Sequence, residues 1–169
     1  MPTPSHLLIS WLSRSHPRPS EAAREMQCTG FALLAMGVRI SAIRVPGALV
    51  HAAAQTEDHA EVAEYLLDHL DGAVALDPRH AVGPLYYALI HGHAGLTWQH
   101  ERLAACLGDG VYLGLPAPHR VEPPGPHWIV PPRYDGDLCK PRAVAELVQL
   151  GHSRLEPAEA TTSTGGAGS

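Results

Sequence analysis

With 169 residues, 45% of them hydrophobic, and a net charge of −5, the chain is long enough for one domain with a core of its own. An acidic balance without any run of basic residues argues against nucleic acid as a partner, because sequence-independent binding needs a basic face. No stretch approaches the roughly 20 apolar residues of a membrane span. The run Leu7 to Leu12 is too short for a signal peptide and has no basic lead, so a cytoplasmic protein is expected.

Aromatic residues make up only 5%, which leaves Leu, Val, Ala and Ile to fill the core. Lys140 is the only lysine, Phe31 the only phenylalanine, and Asn is absent. Those residues have AT-rich codons, so a high-GC genome is inferred and the arginine excess reflects codon bias as much as chemistry. Cys28, Cys106 and Cys139 are far apart and odd in number, which argues against a disulfide framework and fits a reducing compartment.

In chain order, a first helix is expected from Pro4 to about Ser15, ended by Pro17 and Pro19. A short helix follows, with Ser20 as its cap and Gly30 just past its end. Phe31 to Met36 reads as a strand or a buried turn. Val38, Ile40 and Ala42 alternate with polar residues as a half-buried strand. Pro46 stops that strand and opens a small helix, Gly47 to Ala54.

The clearest element is a helix from Glu57 to Leu70. It carries His59, Val62, Ala63, Leu66, Leu67 and Leu70 on one face, with Thr56 as cap and Gly72 as terminator. Ala73 to Leu76 and Leu85 to Ile90 read as an antiparallel strand pair. The passage from Val38 to Leu76 reads as a right-handed crossover. A weak helix is expected around Gln99 to Ala105, and strands at Val111 to Leu115 and His127 to Val130. The Pro-rich segments Pro116 to Pro126 and Pro131 to Pro141 read as surface loops. A helix from Ala143 to Leu150 would close the domain, with Gly151 past its end.

The fold expected is α+β: one domain, residues 1–155, with a mixed, mainly antiparallel sheet of about five strands flanked by helices. Residues 156–169, rich in Thr, Ser, Gly and Ala, are expected to lack structure because they bury too little apolar area to offset ordering entropy.

Twelve histidines are the most unusual feature of the composition. His91 and His93 form His-x-His, which in an extended chain puts both rings on one side, and His80, His100 and His127 are the candidates to join them on a transition metal. Chance pairing in a His-rich chain is the plainer account, since zinc takes roughly three or four converging ligands. Asp135 and Asp137 look like the start of a calcium loop whose later ligands are missing, so a polar turn is the plainer reading. Asp77 follows an apolar strand but lacks a second carboxylate for two-metal chemistry. There is no Walker loop, no dinucleotide fingerprint and no nucleophile elbow. No catalytic residue and no cofactor are assigned. Of the three tryptophans, Trp11 and Trp128 are expected in the core and Trp98 at the surface.

From residue 38 to about 150 the chain carries Ile43-Arg44-Val45-Pro46, Val74-Ala75-Leu76-Asp77-Pro78-Arg79, Tyr86-Tyr87-Ala88-Leu89-Ile90, Val111-Tyr112-Leu113-Gly114-Leu115-Pro116 and His127-Trp128-Ile129-Val130-Pro131-Pro132. In this order it resembles small actinobacterial proteins related to the N-terminal domain of bifunctional DNA primase–polymerases. The resemblance implies a compact α/β domain and, in active members, nucleotidyl transfer with divalent metals held by paired acidic residues on a strand. Only Asp77 stands near a comparable strand end, so the resemblance implies a member that kept the fold and lost the chemistry.

The expected function is therefore that of a non-enzymatic accessory or regulatory protein binding a protein partner, with Trp98, Arg133 and Tyr134 as candidate contacts. The alternatives are a histidine-based metal protein using His91 and His93, and a nucleotide- or nucleic-acid-binding relic using Arg39 and Arg44. A further basic patch would draw on Arg14, Arg18 and Arg24. Arginines scattered in this way usually form a solvated surface.

Overall fold

In the computed structural model, residues 4–78 and 81–167 are described, and side chains for 6–78 and 81–156. The order of elements is α1 (Pro4–Ser13), α2 (Pro19–Thr29), β1 (Phe31–Ala35), β2 (Ile40–Pro46), α3 (Gly47–Ala54), α4 (His59–Leu70), β3 (Val74–Asp77), β4 (Leu85–His91), a 3-10 turn (Gly92–Thr97), β5 (Ala105–Leu107), β6 (Tyr112–Pro116), β7 (His127–Val130) and α5 (Pro141–Ala167). Five strands form one sheet in the order β5-β2-β4-β3-β7, and β1 pairs with β6 in a separate two-stranded ribbon. Every pairing is antiparallel. The expected α+β class and five-stranded sheet are what the chain adopts. Because β2 and β3 both run antiparallel to β4, they run parallel to each other, the direction a helical crossover requires.

The sheet is buried on both faces. Ile43 and Val45 of β2, Val74 and Leu76 of β3, and Tyr86, Ala88 and Ile90 of β4 pack under α3, α4 and α5. Their alternate neighbours Ile40, Ala42, Ala73, Ala75 and Leu89 pack with α1, α2 and the inner side of the ribbon. Three layers result, with helices on one face and a helix pair plus ribbon on the other. This is why β2 is not the half-buried strand expected from its alternation: from Ile40 to Val45 only Arg44 is exposed, while Val38 lies outside the strand and is exposed.

Several boundaries differ from the expected ones, each for a local reason. Pro19 does not end α1; it occupies the first turn of α2, after Arg18 rather than Ser20 as N-cap. Asp58, not Thr56, caps α4 through its side chain, which accepts from the Glu61 N–H. Thr56 supports that cap, its hydroxyl accepting from the Asp58 N–H and donating to the Glu61 carboxylate. Asp71, at φ 50°, closes α4. Gly72 is needed for another reason: a Cβ there would lie 2.3 Å from the Cys139 nitrogen, so only glycine lets the loop before α5 come this close. The helix expected at Gln99 to Ala105 is a turn followed by β5, whose residues pair with Ala42, Ile43 and Arg44. Edge pairing with β2 outweighs a weak helical preference there.

The largest revision concerns Gly151, which lies inside α5 rather than beyond it. A Cβ on Gly151 would sit 2.3 Å from the Leu49 carbonyl oxygen of α3. The two helices therefore touch backbone to backbone, over Leu49, Val50, Val144, Leu147 and Val148. The stretch expected to lack structure falls mostly on positions, from 157 on, whose side chains lie outside the described residues.

Gly151→Ala tests this contact. At an exposed helix position the change would stabilise by about 1 kcal/mol through helix propensity. Here the Cβ meets backbone that cannot rotate away, so the expected result is a lower midpoint in thermal or urea unfolding.

Candidate functional site

The structure separates the residues singled out from the sequence. His91 ends β4, and His93 sits in the 3-10 turn, so the pair is not on one extended strand. Their rings meet edge to face at 5.4 Å, and His91 Nδ1 accepts from the His93 N–H at 3.2 Å. His100 lies edge-on to Trp98, and His80 lies outside the described residues. Among the described residues, no three His, Cys, Asp or Glu side chains converge as a metal would need. Arg39 and Arg44 are both exposed, the first ahead of β2 and the second well inside it.

His127 has a different partner. It is 1% exposed at the start of β7, and its Nε2 lies 3.0 Å from Nε2 of His59, the first residue of α4. Its Nδ1 is 2.9 Å from the Gly125 carbonyl, so Nδ1 carries the hydrogen and donates. With Nδ1 donating to Gly125, Nε2 of His127 is placed to accept from His59. The pair ties α4 to β7.

A second chain of polar groups has the shape of a catalytic relay. Glu57 lies 3.6 Å from His51 Nδ1, and His51 Nε2 lies 2.8 Å from the Tyr86 hydroxyl. Carboxylate, imidazole and hydroxyl in that order can activate a nucleophile. Here the hydroxyl is buried, with Tyr86 only 4% exposed. Burial, with the Glu57 charge adding to it, pushes Tyr86 up to about 12. Burial also holds the His51 imidazole below its ordinary value, outweighing Glu57. The chain of bonds thus secures a tyrosine beneath α3 and presents no reactive oxygen to solvent.

Arg133 is likewise committed inside the molecule. Its Nε and Nη2 reach both carboxylate oxygens of Asp137, at 2.9 and 3.0 Å, and its backbone N–H donates to the same group at 2.8 Å. Nη2 also reaches Asp71 at the end of α4, at 2.9 Å. These bonds raise the Arg133 guanidinium further above its already high ordinary value. Asp137 is 1% exposed, so the Tyr-Asp-Gly-Asp turn is a clasp between the Pro-rich loop and α4. Tyr134 remains exposed beside the clasp, 5.4 Å from the Arg133 guanidinium carbon.

Trp128 is fully buried and its indole N–H donates to the Pro116 carbonyl. Trp98 is partly buried, and its indole donates to the Ala104 carbonyl at 2.7 Å. One side of Trp98 lines a hollow of about 220 Å³ with His100 and Arg142.

The surface that stands out was not found from the sequence. Opposed residues of the ribbon are Phe31 and Pro116, Leu33 and Gly114, Ala35 and Tyr112. Directly opposed residues of an antiparallel pair share a face. Ala32, Leu34 and Leu115 point into the core, and of the other set Leu33, Tyr112 and Gly114 are exposed, Phe31 and Ala35 half-buried and Pro116 buried at the ribbon's end. Leu33 is 56% and Tyr112 55% exposed. The outward face therefore contains no charged side chain from end to end. At its Phe31 end the Arg120 guanidinium stacks on the phenyl ring at 4.4 Å. Arg120 donates to the Pro124 carbonyl, its Nε is buried without a partner, and no carboxylate pairs with it among the described residues.

Comparison with protein-family models, curated proteins and solved structures finds no match for this chain. No helix among the described residues is long and apolar enough to cross a membrane.

Two measurements follow from the buried groups. An unfolded tyrosine ionises near pH 10, whereas folded Tyr86 holds its proton to about 12. Its contribution to stability is complete below about pH 10 and is lost as pH rises towards 12. Urea titrations across that range should show an alkaline decline that is shallower in Tyr86→Phe.

For the thiols, burial pushes Cys139 up to about 12, with Asp137 and Asp71 adding to it, and burial followed by Glu101 raises Cys106. A disulfide reagent should modify exposed Cys28 first, Cys106 more slowly, and Cys139 only under denaturant.

Proposed function

We propose that this chain is a non-enzymatic binding module whose outward ribbon face docks a protein partner. The observation that carries the reading is the apolar outer side of the ribbon, where Leu33 and Tyr112 are exposed and Phe31 and Ala35 half-buried, closed at one end by a cation without a carboxylate. Exposed apolar surface of this kind on a folded domain marks interaction sites. The aromatic and aliphatic side chains are suited to anchor a partner, and the ribbon holds them in fixed register.

Charge selects the occupant. A partner segment that lays apolar side chains on Leu33 and Tyr112 and brings an Asp or Glu to Arg120 would satisfy both features. On this reading the likeness to primase–polymerase domains is one of fold, with binding in place of nucleotidyl transfer. Trp98 spends its one side-chain donor internally, and Arg133 commits Nε and Nη2 to Asp137 and Asp71, which supports placing the contacts on the ribbon.

A photo-crosslinking residue placed at Leu33 or Tyr112 in living cells should give the same discrete adduct. The same residue at Leu96, which is 84% exposed and lies in the 3-10 turn, should not. Arg120→Ala should reduce the adduct. No adduct at Leu33 and Tyr112, or an equal yield at Leu96, would remove the basis for the proposal.

A further inference from the structure

A second feature lies apart from the ribbon face, between α1 and α2. A cleft of about 280 Å³ opens there, walled by Ser10, Ser13 and Arg14 from one side and by Ser20 and Gln27 from the other, with Ile9 and Ala23 as apolar lining. No residue lining it is acidic. Glu21, the carboxylate in the first turn of α2, is instead paired with Arg18 at 3.2 Å.

Three features of this cleft have one chemical sense. Ser13 is 1% exposed, and its hydroxyl oxygen is buried without a hydrogen-bond partner. Such a group carries a desolvation cost of roughly 1–3 kcal/mol unless something bonds to it. The wall across from it begins at the first turn of α2, where Pro19 has no N–H and the Ser20 N–H has no carbonyl of its own helix to reach. The Arg18 N-cap supplies no side-chain bond to that end. Arg14 is exposed at the cleft and, among the described residues, makes no ion pair.

A guanidinium, hydroxyl donors and a free helix N-terminus together suit a phosphate oxyanion. The cleft has space beyond one phosphate, and that space is bounded by Ile9 and Ala23. We infer that the α1–α2 cleft binds a small phosphomonoester, its phosphate held by Arg14, Ser13 and the Ser20 end of α2 and its organic part against Ile9 and Ala23.

Titration of isotope-labelled protein with inorganic phosphate and then phenyl phosphate, at constant ionic strength, tests the inference. Saturable amide shifts are expected at Ser13, Arg14, Ser20 and Ala23, with tighter binding of phenyl phosphate. Arg14→Gln should weaken binding by about tenfold to a hundredfold, as loss of a charged hydrogen bond does. Arg24→Gln, at an exposed arginine of α2 that does not line the cleft, should leave binding unchanged.

Ser13→Ala separates a binding role from a structural one. It should weaken phosphate binding while leaving the unfolding midpoint of the unliganded protein equal or higher, because it removes an unsatisfied buried group. A lower midpoint for Ser13→Ala would show the hydroxyl to be a structural bond and overturn the inference. So would non-saturating shifts, or equal losses in the Arg14 and Arg24 variants.

Discussion

The structure depends most on β4, Leu85–His91. It pairs along its length with β2 on one side and with β3 on the other. Its residues supply both cores in alternation, Tyr86, Ala88 and Ile90 to the three-helix face and Leu89 to the opposite one, where Tyr87 also packs. A one-residue slip in its register would exchange these two sets. Tyr86 would then lose His51, the one polar partner that its buried hydroxyl has on the helical side. Burial on both faces makes that slip costly, so the pairing of β2 and β3 around β4 is strongly specified.

The Pro-rich loops are fastened to this frame. The loop after β7 carries Arg133, whose guanidinium bridges Asp137 in its own turn and Asp71 at the end of α4. The Asp137 carboxylate is desolvated, and three donors from Arg133 compensate it. Next along the chain, the Cys139 N–H donates to the Leu89 carbonyl of β4, and the Cys139 nitrogen lies within reach of a Cβ at Gly72. The clasp thus fixes where α5 starts, and the start of α5 sets Gly151 against Leu49. An apparently loose segment, rich in proline, decides the placement of the helix that meets α3 backbone to backbone.

What could be read from the sequence follows from how local each signal is. The face of α4 and the alternation of Val38, Ile40 and Ala42 are periodic signals within one element, and the apolar run Leu85 to Ile90 is a signal just as local; together they located a helix and two central strands of the sheet. Pro46 and Gly30 act through their own backbone and were also legible. Gly151 was misread because a glycine after an apolar helical run looks like a C-cap; only the approach of α3, about 100 residues earlier in the chain, shows the other use. The His59–His127 bond spans 68 positions and leaves no local trace. The ribbon face was hidden for a related reason. Phe31 to Ala35 is apolar at every position, so its composition says strand without saying which side meets water.

The two faces of the sheet also differ in what they leave open. On the helical face, α3 and α5 meet without room for a methyl group, and α4 seals the remainder with Val62, Leu66 and Leu70. Close packing of that kind transmits strain and leaves little surface for a partner. On the other face, α1, α2 and a ribbon of only two strands do the covering, and two strands present as much outer surface as inner. The inner side is used by Ala32, Leu34 and Leu115, while the outer side of the same backbone stays apolar. Stability alone asks nothing apolar of an outward position, and a polar residue at Leu33 would keep the core intact. The apolar character of that outer side is what the proposed docking of a partner would use.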